Sequence, residues 1–165
     1  MLVNTYSKRI FNLAYNFSGS LQEAEDLTQE IFMKLFHSLS KYNKNKNFDA
    51  WLMTLSKNHL IDQYRKTKWE KRNRDELNEN SFLIDNSKSP ENRIELNENK
   101  NIVWRGLNKL SSEIRISIIL RDIQGKTYEE IAEILSLPLG TVKSRVNRGR
   151  LQLAQILKKE RKKIL

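Results

Sequence analysis

A chain of 165 residues has room for one domain of ordinary size or two small helical ones, each with a modest core. Its net charge of +10 suits a polyanionic partner, while the absence of cysteine excludes a disulfide framework and a thiolate metal site, and two histidines, His37 and His59, are too few for a metal centre. No apolar run approaches the roughly 20 residues that cross a bilayer, and the first residues lack the apolar core of a signal peptide, so the expectation is a soluble protein of the reducing cytoplasm with no membrane insertion.

Five glycines and two prolines punctuate the chain and β-branched alternation is scarce, which predicts an all-α fold class. Apolar residues at steps of three and four predict a first helix over 4–17 and a second over 21–40. In the second, Ala24, Leu27, Ile31, Leu35 and Leu39 share the buried side, and Asp26, Gln29, Glu30 and Met33 the far side. Two readings fit this acidic face: a solvated surface, or a docking surface for a protein, to which an exposed methionine points. A third helix is predicted from Phe48 to about Lys66, with Leu52, Leu55 and His59 on one stripe and Trp51, Thr54, Asn58, Asp62 and Arg65 on another. His59 reads as a packed or rim histidine rather than a ligand. Trp51 reads either as core or as a platform on which an unpaired base stacks beside amide and guanidinium groups. The preceding loop, KYNKNKN, sets three lysines next to that stripe.

From Thr67 to Ser89 the sequence is polar, rich in asparagine and without apolar period, and reads as a linker. Helical patterns resume near Pro90, which suits a first turn, and run over 93–109, 112–124, 127–136 and 139–159. The expected organisation is thus two small all-helical domains, 1–67 and 90–165, joined by a flexible linker over 68–89. Positive charge concentrates in the second: Thr141 to Leu165 holds nine basic residues against one acid, Glu160.

The stretch TYEEIAEILSLPLGTVKSRVNRGR, residues 127–150, carries the most specific pattern. Thr127 and Glu130 have the spacing of a capping box, and Gly125 suits the end of the preceding helix. Tyr128, Ile131, Ala132 and Leu135 share one face, with small Ala132 where a crossing partner would come close. Pro138 stops that helix and opens the next, on which Val142, Val146, Gly149, Leu153 and Leu157 lie on one side. Ser144, Asn147 and Arg148 face away, flanked by Lys143, Arg145 and Arg150. Such a helix-turn-helix can set its second helix in a major groove, with Lys143 and Arg148 within reach of guanine edges and Thr141, Arg145 and Arg150 on phosphates. An amphipathic helix with a merely solvated basic face is the plainer alternative.

Taken together, EAEDLTQEIFMKLF, FDAWLMTLSKNHLIDQYRK and the helix-turn-helix resemble, in order and over nearly the whole chain, the sigma factors of the extracytoplasmic-function group. The resemblance implies core RNA polymerase, promoter DNA and an anti-sigma factor as partners, and a specificity subunit with no catalytic residue, metal or cofactor rather than an enzyme. By that resemblance Asp26, Gln29, Glu30 and Met33 dock on polymerase. Tyr42, Lys46, Asn47, Trp51, Lys57, Asn58 and Arg65 belong to the −10 surface, where Asn58 and the loop from Tyr42 to Asn47 capture a flipped base. Thr141, Lys143, Ser144, Arg145, Asn147, Arg148 and Arg150 belong to the −35 surface. Asn147 stands at a position that varies across the family, and the basic tail after Leu157 has no general family role. Rival readings are a conventional duplex-binding regulator with dimerising N-terminal helices, an adaptor that binds polymerase without melting DNA, and a nuclease or nucleotidyl transferase. The last is weakened by the lack of a carboxylate pair, His cluster or phosphate-cradling glycine loop spaced for that chemistry.

Overall fold

Helix α1 (Leu2–Ser18) ends where Gly19 adopts φ +73° and donates its N–H to the Tyr15 carbonyl at 2.7 Å, a left-handed turn that glycine enters without steric cost. Ser20 then caps α2 (Leu21–Ser38), its hydroxyl accepting from the Glu23 N–H. The resulting hairpin buries Ile10, Leu13, Ala14 and Phe17 against Ala24, Ile31, Phe32 and Leu35. The computed structural model describes residues 2–77 and 98–164, and no strand occurs among them. Expectations placed on Pro90 and the remainder of the linker lie outside the described residues.

Two expectations about this half need correction. Leu39 is 39% exposed rather than buried, because α2 gives way to a 3-10 turn, Leu39–Lys41, that rotates it off the apolar stripe. Helix α3 runs from Phe48 to Leu77, well past the expected end near Lys66. The sequence read as linker contains no glycine or proline before residue 78, and it places Lys66 four residues before Glu70, Glu70 before Arg74 and Lys71 before Asp75. These are good helix formers at the spacing of favourable charge pairs, so the helix propagates from a well-packed start. Ala50, Leu52, Met53, Ser56, His59, Leu60 and Ile61 are the buried face of that start.

The second unit begins with α4 (Glu98–Asn108) and α5 (Ser112–Ile118), the latter capped by the Ser111 hydroxyl, which accepts from the Ile114 N–H. The single helix expected over 112–124 is in fact two pieces. After Ile118 the chain takes a π-helical turn, Ile119–Ile123, in which Gln124 N–H reaches the Ile119 carbonyl at 2.9 Å. Gly125, at φ +67°, then turns the chain into α6 (Tyr128–Leu135), whose Thr127–Glu130 capping box is fully formed. Ser136 is left-handed at φ 53°, with Leu137 N–H bonded to the Ala132 carbonyl at 3.0 Å, and Pro138 starts α7 (Leu139–Ile164). Val142, Val146 and Gly149 are buried as expected. Helix α7 approaches α5 closely at Gly149, where a Cβ would stand 2.7 Å from Ile114 Cγ2 and 2.9 Å from Ile118 Cγ1.

The two units meet around Arg115, whose side chain is fully buried. Its guanidinium donates to the carbonyls of Leu107 (3.0 Å), Asn108 (2.9 Å) and Leu110 (3.3 Å) at the end of α4, and to that of Phe17 (3.1 Å) at the end of α1. One cation thus caps two helix C-termini, where carbonyls lack helical partners and the dipole favours positive charge. It also lies 5.0 Å from the Phe17 ring centre and 4.8 Å from that of Tyr64. Around it, Lys126 bonds Asp49 at 2.7 Å, Gln124 reaches the Arg9 carbonyl at 3.3 Å, and Thr54 donates to the Ile134 carbonyl at 3.1 Å.

Candidate nucleic-acid and partner interfaces

Three exposed surfaces collect the residues singled out by sequence. On α2, Asp26, Gln29, Glu30 and Met33 point outward, Met33 being 61% exposed. Glu30 also serves the fold, since its Oε2 pairs with His59 Nε2 at 2.6 Å and accepts from Gln63 at 3.3 Å, and His59 is the buried, packed histidine expected. Sequence reasoning missed Phe36, 58% exposed one turn beyond Met33. Its signal was the i, i+3 spacing from Met33. An apolar pair inside an acidic rim is the composition of a protein-docking face rather than a DNA-binding one.

The second surface is the loop before α3 and the start of that helix. Asn47 caps α3, its Oδ1 accepting from the Ala50 N–H at 3.3 Å, and the Tyr42 hydroxyl bonds the Lys46 carbonyl, so both ends of the loop are fixed. The Tyr42 ring lies 4.9 Å from Trp51 and 5.2 Å from Phe48, edge-on to the latter. Trp51 is half-buried: it belongs to this aromatic cluster and keeps part of its surface open. Lys46 and Asn58 are exposed. Burial pushes the Lys57 ammonium below its usual pKa; Asp62 counters this, and the cations Arg145 and Arg65 add to it. Arg65 is paired with Glu113 of the second unit at 2.6 Å. Burial alone would raise the Glu113 carboxyl, but its hydrogen bonds from Arg65, its own backbone and Ser112 outweigh that and hold it below the ordinary range.

The third surface is the first half of α7. Thr141, Lys143, Ser144, Asn147 and Arg148 are exposed, and Arg145 is half-buried toward Lys57. Ser144 donates to the Thr141 carbonyl at 3.0 Å. Lys143, 5.8 Å from the Tyr128 ring centre, ties α7 to α6, and Arg121, 4.5 Å from the same centre, ties the π-helical turn to it. Arg150 differs from its neighbours: Nε and Nη2 both bond the Asp122 carboxylate, which raises the guanidinium pKa further. Among the described residues no group of three or more His, Cys, Asp or Glu side chains could hold a metal, and no helix is long and apolar enough to cross a membrane.

A basic helix presented across a capped turn, a rigid aromatic loop beside an exposed amide, and an acidic face with apolar residues define a multi-surface DNA-binding protein that also binds protein. Comparison makes the class specific. The Sigma-70 region 2 family model matches residues 2–70 and the Sigma-70 region 4 model residues 100–153. The chain is 32% identical over 163 residues to the ECF RNA polymerase sigma factor SigW of Bacillus subtilis, covering 95% of this chain and 87% of that one. It is 31% identical over 156 residues to the ECF RNA polymerase sigma-E factor of Escherichia coli, covering 91% and 81%. Among solved structures, the sigma factor RpoE of Bartonella quintana, determined in complex with the anti-sigma factor NepR, superposes with a TM-score of 0.71 at 30% identity over 94% of each chain. The chain belongs to the ECF sigma factors of the sigma-70 family. Sigma factors are non-catalytic initiation factors, and this one acts in promoter-specific transcription initiation by RNA polymerase.

Proposed function

We propose that the three surfaces divide the work of initiation. The face of α2 bearing Asp26, Gln29, Glu30, Met33 and Phe36 docks on core polymerase. The α7 residues Thr141, Lys143, Ser144, Arg145, Asn147 and Arg148 grip the −35 duplex, Lys143 and Arg148 at guanine edges and Thr141 and Arg145 on phosphates. The loop Tyr42–Asn47, with Trp51, Lys57, Asn58 and Arg65, receives a base flipped from the −10 element. Unstacking that base costs a few kcal/mol, offset by stacking and hydrogen bonds in the pocket, so opening favours matching sequences. On the −35 surface, Arg150 reaches a phosphate when DNA displaces Asp122 from it.

The observation that carries the reading is α7 itself, buried at Val142, Val146 and Gly149 and exposed along Lys143, Ser144, Asn147 and Arg148 on the opposite side. The protein acts in the cytoplasm as a specificity subunit with no catalytic activity of its own. Its first promoter-reading domain extends with α3 beyond the expected boundary at 67, and the second lies within 90–165. An anti-sigma factor is a further partner; the likeness to an RpoE solved with NepR supports this. The decisive experiment is transcription by core RNA polymerase from a library of randomised promoters, with and without this protein. Defined new start sites, each preceded by two short motifs at fixed spacing, are expected. Binding to core without new starts would leave a non-melting adaptor, and binding to palindromic duplex alone a conventional regulator.

A further inference from the structure

Glu30 differs from its neighbours on the outer face of α2. Among the described residues the side chains of Asp26 and Gln29 take no hydrogen bond or ion pair, so each keeps its rotamer freedom. Glu30 is held from another helix. Its Oε2 accepts from His59 Nε2 at 2.6 Å and from Gln63 Nε2 at 3.3 Å, two residues one turn apart on α3. The Glu30 side chain is nonetheless 47% exposed, and its Oε1 takes no hydrogen bond among the described residues. One oxygen is committed to α3, and the other is open to a donor from outside.

His59 has little other use for its polarity. The ring is buried, and its Nδ1 has no hydrogen-bond partner, so Glu30 is the one group its side chain bonds among the described residues. Burying an imidazole with one nitrogen unpartnered costs free energy that an apolar side chain in the same place would not. What the ring provides in return lies at the surface. An unrestrained glutamate loses its rotamer freedom when a partner binds it, and a carboxylate ordered in advance does not.

We propose that His59, assisted by Gln63, is a positioning residue for docking on core polymerase: it fixes the Glu30 carboxylate so that Oε1 meets a cationic side chain of the polymerase without further ordering. The inference rests on the reading that the α2 face docks on core. It goes beyond that reading by giving a docking role to a buried residue of a different helix, one that acts only through Glu30. The opposing edge of α3 carries Asn58, so the helix that receives the flipped base also sets the geometry of the docking carboxylate.

The test measures the affinity of the full chain for core polymerase in the absence of DNA. His59→Leu, which keeps an apolar body and removes the donor, is expected to weaken binding about fivefold, the ordering cost of one side chain. His59→Gln, which returns an N–H near the place of Nε2, should recover most of that loss. Gln63→Leu should weaken binding about twofold, because its bond is the longer of the two. Glu30→Ala should weaken it more than any of these, and in that background neither His59→Leu nor Gln63→Leu should make a further difference. A residue that served only the fold would lower affinity equally with Glu30 present or absent. Unchanged affinity in both leucine variants, an equal loss in the Glu30→Ala background, or no recovery by glutamine would each overturn the positioning role while leaving docking by α2 in place. Should Glu30→Ala bind core as tightly as the unsubstituted chain, the docking role of Glu30 falls, and the positioning role with it.

Discussion

Replacing Arg115 with methionine asks whether the two helical units are held by the double C-terminal cap or by apolar packing alone. Methionine keeps much of the stem and removes every N–H. Of the four carbonyls involved, that of Leu107 retains the Leu110 N–H at 3.1 Å, and Asn108 is exposed enough for water to replace the guanidinium. The Phe17 and Leu110 carbonyls sit in buried bonds and lose that donor, at about 1–3 kcal/mol each, and the ring faces of Phe17 and Tyr64 lose about 1 kcal/mol of cation attraction. Against this stands relief of the desolvation that depresses the Arg115 pKa, which for well-packed apolar replacements of buried ions returns about 1–4 kcal/mol. The caps outweigh that relief, and the expected net loss is about 2–3 kcal/mol. For a chain of 165 residues that is a fall of about 4–12 °C in melting temperature, read by calorimetry or far-ultraviolet circular dichroism. Arg115→Lys should recover less than half of it, because one ammonium cannot span carbonyls on two helices. A melting temperature for Arg115→Met that is unchanged or raised would refute the reasoning, and would mean that burying the charge costs more than the caps return.

Four further expectations follow from the surfaces and caps. Asn58→Ala should slow promoter opening, followed by permanganate reactivity of unpaired thymines, more than it weakens the closed complex; equal loss of both would remove Asn58 from the base pocket. Arg148→Ala should relax the −35 preference at one position by about 1–3 kcal/mol in a competition assay across base substitutions, whereas a uniform loss with a salt slope smaller by about one would place it on phosphate. Ser136→Gly should stabilise the protein by about 0.5–1 kcal/mol, since the residue is left-handed at φ 53° and the penalty on a side chain there exceeds the entropy cost of glycine; a lower melting temperature would contradict this. The Glu130 carboxyl is held below its usual value chiefly by its bond from the Thr127 backbone, so it favours the folded state above the ordinary carboxylate range and loses that effect as pH falls through the lowered value. Glu130→Gln should therefore melt below the unsubstituted protein at about pH 7, with the gap closing toward about pH 3; a gap independent of pH would assign the effect to packing.

Where local chemistry decided the structure, the sequence was readable. The capping box at Thr127 and Glu130, the stop at Pro138 and the buried line of Val142, Val146 and Gly149 each depend on residues within a few positions of one another, and each is observed as expected. The acidic exterior of α2 was legible for the same reason, because one helical period fixes which side Asp26 and Gln29 face. Errors arose where a local signal was read without its neighbours. Asparagine-rich polarity after Lys66 reads as a linker although the i, i+4 charge spacing there supports helix, and Leu39 fits the stripe of a helix that ends one residue before it.

What could not be read is whatever two distant segments make together. An arginine after a serine cap, as Arg115 is, looks like a surface residue of a first helical turn; only the arrival of the Phe17 and Leu107 carbonyls makes it a buried double cap. Lys57 is the electrostatic counterpart. Its lowered pKa arises first from burial and then from Arg145, which approaches from a helix 88 positions further along the chain, and from Arg65 on its own helix. Arg145 and Arg65 thus each disfavour the charged form of Lys57, and Asp62 opposes them. Arg65 is itself paired with Glu113, so the electrostatics of this part of α3 are set by residues that come together only where the two units meet.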